Sequence, residues 1–213
     1  MRNLKDRKVV ILGGSSGIGL ATSALLQERG AQVTIGGRDE DRLARAAASL
    51  PGGTRTVAVD ATDPGSLHRF FERTGPIDDL VVTVTRRGGA GPAQALAEQD
   101  LLDAFTGKPI AHLQAVGLAL PTLDQRGSVV LVSAGSAQSA LPGTSLLAAI
   151  NGAIEAAVPP LARELAPRRV NAVSPGVIET DWWDVLPEPE RRAAFAAYAD
   201  PVAEFGEVPC RSS

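Results

Sequence analysis

Apolar positions along this chain cluster in short β-branched runs, set apart by longer Ala/Leu/Arg stretches of helical pattern. The runs predict strands at Lys8–Leu12, Gln32–Ile35, Arg55–Val59, Leu80–Thr85, Ser128–Val132 and Val170–Val173. The stretches between them predict helices near Gly17–Arg29, Asp39–Leu50, Asp63–Arg73, Ala93–Leu120 and Ser145–Leu165. Short apolar strands alternating with helices argue for a mostly parallel sheet covered on both faces. Right-handed crossovers then favour the doubly wound α/β order 3-2-1-4-5-6 of a Rossmann fold. No linker, low-complexity tract or short-period repeat divides the chain, so a single domain over residues 1–213 is expected. Pro109 falls inside the fourth helical pattern and Pro159-Pro160 inside the fifth. Interior proline costs ~3 kcal/mol, so each helix is expected to kink or restart there, with Pro159 or Pro160 in a first turn.

Composition narrows the class without changing the fold. Hydrophobic residues at 44% and charged ones at 21% describe a folded chain rather than a disordered one. The net charge of −3 and scattered basic residues argue against a nucleic-acid stripe or a polybasic membrane anchor. Aromatic residues at 4% are too few for base-stacking platforms. Cys210 is the single cysteine, so no internal disulfide or cysteine metal cluster forms, and no histidine, cysteine or acid group has metal-ligand spacing. "MRNLKDRK" is charged and runs straight into a strand, and no apolar run is expected to reach membrane-spanning length. The expectation is a soluble cytoplasmic protein.

The first strand ends in "LGGSSGIG", in which Gly13, Gly17 and Gly19 lie between a strand and a helix. Glycine allows the sharp turn and lets a diphosphate approach backbone amides, and the helix N-terminus adds free donors and partial positive charge. Strand, turn and helix follow in the right order for a dinucleotide cradle. The second strand ends "VTIGGRD", with Arg38 where an acid would select NAD. A guanidinium there can fork onto a 2′-phosphate, aided by the hydroxyls of Ser15 and Ser16, so NADP(H) is favoured over NAD(H).

These residues bring a family into view: over almost its full length the chain resembles the short-chain dehydrogenase/reductases (SDRs). "LGGSSGIG" is similar to their T-G-x-x-x-G-I-G loop, with Leu12 in place of the threonine and Ile18 between the last two glycines. "AVDATD" resembles the segment facing the adenine, which implies cofactor contacts for Asp60 and Ala61. "RVNAVSPGVIET" is close to the sixth strand and nicotinamide-side loop, implying that Pro175, Gly176, Ile178 and Thr180 line the carboxamide. The resemblance further implies hydride transfer between nicotinamide and a carbonyl or alcohol, served by a Ser, a Tyr-x-x-x-Lys pair and an Asn.

All four catalytic positions depart. The Tyr and Lys positions fall on Leu147 and Asn151, the Ser position on Ala134, and the Asn position on Lys108. The segment matching N-N-A-G reads Thr83-Val84-Thr85-Arg86. Reducing a ketone needs a proton donor within hydrogen-bond reach, which leucine cannot be. Lys108, Ser133 and Asn151 become the catalytic candidates: a buried ammonium serves as acid or electrophile, Ser133 or Ser136 orients a substrate oxygen, and Asn151 bonds ribose hydroxyls. Solvent-exposed snorkelling of Lys108 and loop capping by the serines are the plain alternatives. His112, four residues beyond Lys108, is read chiefly as a packed residue, and His68 as surface.

Trp182-Trp183 follow the Pro-Gly loop and suggest a substrate-side lid over about 177–205, or a docking patch for a second subunit. Tyr198 reaches the site only if its segment folds over it. The resemblance implies a further helix and strand after "PVAEFGEVPCRSS", so the last strand is expected to be missing. A homo-oligomer acting on a small-molecule substrate is expected. The reading is thus an atypical NADP(H)-dependent oxidoreductase; an NADP(H)-binding protein without turnover, or a non-redox isomerase or cyclase, are the rivals.

Overall fold

Strands β1 (Lys8–Leu12), β2 (Gln32–Gly37), β3 (Arg55–Ala58), β4 (Ile77–Val82), β5 (Leu123–Val132) and β6 (Arg169–Val173) make one sheet in the order 3-2-1-4-5-6. All five pairings are parallel. The computed structural model describes residues 4–86, 88–178, 180 and 187–199. Alternation along β1 explains the two-sided core. Val10 and Leu12 face Phe70, Phe71, Leu80 and Ile154, whereas Val9 and Ile11 join Val33, Ile35 and Leu43 on the other side.

The helices are α1 (Gly17–Glu28), α2 (Glu40–Ser49), α3 (Pro64–Thr74), α4 (Glu98–Phe105), α5 (Ala111–Ala119), α6 (Ser145–Glu164) and α7 (Glu188–Ala199). Two begin on aspartate caps visible in the sequence. Asp39 accepts from the Arg42 amide at 2.9 Å, and Asp63 accepts from the Gly65 amide at 2.9 Å with Pro64 behind it. The amino end of the sheet is clamped electrostatically. Arg7 Nε and Nη2 donate to Asp79 at 2.7 and 2.9 Å, and the Ser128 amide and hydroxyl donate to the same carboxylate at 3.0 and 2.6 Å. This joins the approach to β1 with β4 and β5, and leaves the carboxyl ends of the strands free to build a site.

The structure corrects four expectations. β4 occupies Ile77–Val82 instead of Leu80–Thr85. Its acidic Asp79 is accepted inside because Arg7 and Ser128 satisfy it, while Thr83 turns its hydroxyl back onto the Leu12 and Gly13 carbonyls at 3.0 and 3.1 Å. The fourth helical stretch is three pieces: a 3-10 turn at Ala93–Ala95, then α4 and α5 joined by a π segment, Thr106–Ile110, around Pro109. A missing N–H at Pro109 is absorbed by the wider turn. Pro159 and Pro160 start no new helix, since α6 runs through both. They lie on its exposed side, where carbonyls released by the missing N–H groups meet water. Finally, α6 is long and apolar enough to span a bilayer by length and composition alone. It packs instead onto the sheet, with Leu146, Ile150, Asn151 and Ile154 buried.

Candidate active site

The cradle is built by sterics. Gly13 has φ +87° and Gly17 φ +50°, a region L side chains avoid. A Cβ on Gly13 would lie 2.5 Å from Thr83 Oγ1, and one on Gly19 would lie 2.2 Å from the Gly13 carbonyl oxygen. Strand end and helix start therefore approach as closely as only glycine permits. Ser16 precedes α1 in extended backbone, its hydroxyl caps no amide, and no acid occupies the first turn. The Leu20 amide donates to the Ser16 carbonyl at 3.1 Å, so the Gly17, Ile18 and Gly19 amides at the positive end of α1 are left for an anion, which fits a diphosphate.

Other candidate cofactor residues rim this cradle. Ser15 Oγ lies 3.4 Å from where a Gly37 Cβ would stand, so it faces the end of β2. Arg38 is exposed immediately beyond. Burial pushes the Asp60 carboxyl up, but the Thr62 amide and hydroxyl, donating at 2.9 and 2.7 Å, and the Arg38 charge hold it below its ordinary range. Arg38 and Asp60 therefore share one rim, with Ala61 buried beneath. From the opposite side, Thr180 Cγ2 comes 3.3 Å from a Gly17 Cβ. The Pro175 carbonyl accepts from the Gly135 amide at 2.8 Å, fixing the Pro175-Gly176 turn beside the end of β5, and Ile178 is exposed. Trp182-Trp183 lie outside the described residues; Tyr198 belongs to α7, with its side chain outside them.

Beside the strand ends lies a buried polar group. Lys108, on the π segment, does not snorkel: its Nζ donates to the Ser133 carbonyl at 3.3 Å, and burial pushes the ammonium down to about 8. His112 is fully buried, and one ring nitrogen, Nε2, meets the Val84 carbonyl at 2.9 Å. Burial, the first cause, outweighs the Val84 bond and with the Lys108 charge takes His112 down to about 3. The ring is therefore neutral and donates from Nε2, leaving Nδ1 as a bare acceptor. Ser133 Oγ donates to Glu155 Oε1 at 2.7 Å, and Gln138 Nε2 donates to Glu155 Oε2 at 3.2 Å. Asn151 is also buried, its Nδ2 donating to Ser136 Oγ at 3.0 Å and to the Leu147 carbonyl at 2.8 Å.

The fold thus brings Lys108, Ser133, Ser136 and Asn151 onto one stretch of chain, Ser133–Ser136. It keeps Arg38 and Asp60 on a different rim. The Ser133 hydroxyl and the Asn151 amide are spent on internal partners, so of the three catalytic candidates only the ammonium has protons to spare. Sequence reading missed Glu155 as the partner of Ser133, although its place one helical turn past Asn151 was the available signal. It also missed Thr83 as the brace of the cradle. Leu147 packs with Leu146, Ile150 and Ala104 under the Gly88–Gly91 loop. A cleft of about 380 Å³ opens there, floored by Leu96, Ala104 and Ile150 and edged by the Arg86–Asp103 ion pair at 2.7 Å.

Sheet order, cradle and strand-end cluster together define a nicotinamide-nucleotide-type Rossmann protein. A family profile described as enoyl-(acyl carrier protein) reductase matches residues 13–209. The chain is 30% identical over 214 aligned residues to the 3-oxoacyl-(acyl-carrier-protein) reductase of Thermotoga maritima, covering 96% of this chain and 86% of that one. Among solved structures, a reductase/Diels-Alderase of Malbranchea aurantiaca superposes with TM-score 0.81 at 26% identity, over 91% of this chain and 81% of that one. A small-chain dehydrogenase in complex with NADPH gives TM-score 0.75 at 29% identity, over 95% and 86%. The chain belongs to the short-chain dehydrogenase/reductase family of oxidoreductases.

Proposed function

We propose that this protein is an NADP(H)-dependent oxidoreductase acting on a small carbonyl or alcohol, with Lys108 in place of the family's phenol. The observation that carries the cofactor half is the cradle: glycines that admit no Cβ, an uncapped helix N-terminus, and Arg38 immediately after β2 where a 2′-phosphate would lie. Gly13, Ser15, Ser16, Gly17, Ile18 and Gly19 hold the diphosphate and adjoining ribose. Arg38, Asp60 and Ala61 serve the adenosine end, and Pro175, Gly176, Ile178 and Thr180 the nicotinamide end. A small-chain dehydrogenase of the same fold was solved with NADPH, which supports this choice.

When bound, the nicotinamide supplies or accepts the hydride. In the reducing direction the carbonyl carbon gains that hydride and its oxygen must gain a proton. Lys108 has an N–H to give and is left as a neutral amine; Ser133 and Asn151 hold the loop against which it works. The Leu147 side chain excludes water and donates nothing. Leu147 also favours a second reading, in which nucleotide binds without turnover or the pocket serves a non-redox isomerisation. Exposed Leu102, Ile110 and Leu113 along α4, the π segment and α5 support self-association of the chain.

Calorimetric titration with NADPH and NADH tests the cofactor half. NADPH binds tighter, and Arg38→Ala removes about 1.5–3 kcal/mol of that preference, the worth of charge-assisted hydrogen bonds. Equal affinities before and after the change refute it. Nucleotide absorbance followed during turnover of a carbonyl panel separates the redox reading from the second one.

A further inference from the structure

One carboxylate on α6 touches the segments that follow both β5 and β6. Glu155 Oε1 accepts from the Ser133 hydroxyl at 2.7 Å and Oε2 from Gln138 Nε2 at 3.2 Å, and the Ser174 hydroxyl is a third donor. Burial pushes the Glu155 carboxyl up, but these three bonds prevail and hold it below its ordinary range, so it is ionised at neutral pH. The Ser133 hydroxyl also lies 3.3 Å from the Val173 carbonyl, but its single proton goes to the nearer, charged acceptor.

Backbone bonds run across the same junction. The Ser133 amide donates to the Val173 carbonyl at 2.9 Å, and the Gly135 amide to the Pro175 carbonyl at 2.8 Å. A Cβ on Gly135 would stand 3.5 Å from that Pro175 oxygen and 3.8 Å from Gly176 Cα, so the loop lies directly against the turn. Helix α6 grips the loop at two levels, one helical turn apart. Asn151 holds Ser136 at 3.0 Å, and Glu155 holds Ser133 and Gln138. Glu155 reaches further, to Ser174, which opens the Pro175-Gly176 turn. Ser133 is thereby held from both sides, its hydroxyl by Glu155 and its carbonyl by Lys108 at 3.3 Å.

We propose that Glu155 is a positioning residue: it staples the loop after β5 to the turn after β6, so that Pro175-Gly176 and the carbonyl holding Lys108 keep one fixed relation. What it positions is the seat of the nicotinamide end of the dinucleotide. That assignment rests on the oxidoreductase reading above; the staple itself does not. Three donors converge on two oxygens that only accept, which requires a carboxylate. A glutamine there has one accepting oxygen and turns an NH2 toward a donor.

The test has two arms, each run on wild type, Glu155→Ala and the near-isosteric Glu155→Gln, which decides the matter if Glu155→Ala does not fold. The first is calorimetric titration with NADPH and with 2′-phospho-ADP-ribose, the same nucleotide without its nicotinamide. NADPH binding weakens by about 5–30-fold, the cost of ordering roughly one residue of backbone on binding, while 2′-phospho-ADP-ribose binds as before. A generally loosened fold weakens both alike, so equal losses, or no loss for NADPH, overturn the positioning role. The second arm needs no nucleotide: amide hydrogen exchange by nuclear magnetic resonance. Protection of the Ser133 and Gly135 amides falls by about 10-fold or more, the worth of a hydrogen bond to a charged group, while that of Gly13 and Thr83 in the cradle is unchanged. Unchanged protection of Ser133 and Gly135 overturns the staple. Lost protection in a protein whose wild type binds neither nucleotide keeps the staple and removes the oxidoreductase reading.

Discussion

Replacing Lys108 with methionine should stabilise the fold at neutral pH. Methionine has similar length, suits a buried site and carries no charge. The ammonium has no carboxylate partner, only the Ser133 carbonyl at 3.3 Å, and burial takes it from 10.5 to about 8. At ~1.4 kcal/mol per pKa unit, keeping it charged inside costs the native state about 3 kcal/mol at pH 7. Losing one hydrogen bond returns about 1 kcal/mol, so the net gain on substitution is about 2 kcal/mol. The pH dependence is the sharper signature. Between about 8 and 10.5 the unfolded chain holds a proton on Lys108 that the folded chain has released. Wild-type stability therefore rises with pH across that window, and the penalty returns as pH falls through the folded value. Lys108→Met lacks this slope. Urea unfolding at pH 7 and at steps up to 10.5 measures both effects. Equal urea midpoints at pH 7 and the same slope in both proteins would sink the argument. Turnover, if the proposed chemistry holds, falls by about 10²–10⁴ in the same variant.

Two further substitutions probe the scaffold. Gly19→Ala forces a Cβ to within 2.2 Å of the Gly13 carbonyl and should destabilise by about 1–3 kcal/mol while weakening nucleotide binding. Gly117→Ala, in a helix with nothing within 4 Å of the new Cβ, should stabilise by about 0.5–1 kcal/mol. Thermal melting that shows the same sign for both contradicts the steric account. For Asp79, burial pushes the carboxyl up, but hydrogen bonds from Arg7 and Ser128 and the Arg7 charge prevail, so it stays below its ordinary range. Its stabilisation is present at neutral pH and is lost as pH falls through that lowered value, below the usual carboxylate range. Asp79→Asn should cost about 2–3 kcal/mol at pH 7 and flatten the acid limb of the stability curve; an unchanged acid limb in urea titrations would contradict this.

The fold was legible because its signals are local and repeated. β1 begins and ends at Lys8 and Leu12 as the apolar run does, and Asp39 and Asp63 announce their helices by type and position. The cradle was legible because only glycine fits its approach distances. What escaped depends on partners far along the chain. Asp79 looks out of place in a strand until Arg7, 72 residues away, and Ser128, 49 residues away, are seen to satisfy it. Thr83 reads as a strand residue until the Leu12 and Gly13 carbonyls bend it back. Pro109 predicted a kink, but not that the chain would widen into a π turn. That turn carries Lys108 inward, a placement that polar character alone argues against.

Leu147 and Lys108 are two sides of one arrangement. A phenol at position 147 would need a cation one turn along α6 to lower its pKa, and Asn151 carries no charge. The charge sits instead on the facing π segment, tethered to the loop after β5 that Asn151 and Glu155 also hold. Ser133 cannot take over as a free donor, because its hydroxyl is committed to Glu155. The neutral His112 ring beneath adds no second positive charge to the pocket. In the reduction proposed above, an alkoxide forming at these strand ends would meet an ammonium with a lowered pKa. That group is a stronger acid than an ordinary lysine, held where burying it costs the fold stability. On the proposed oxidoreductase reading, the proton chemistry of this site would turn on nitrogen from α4's extension and not on oxygen from α6.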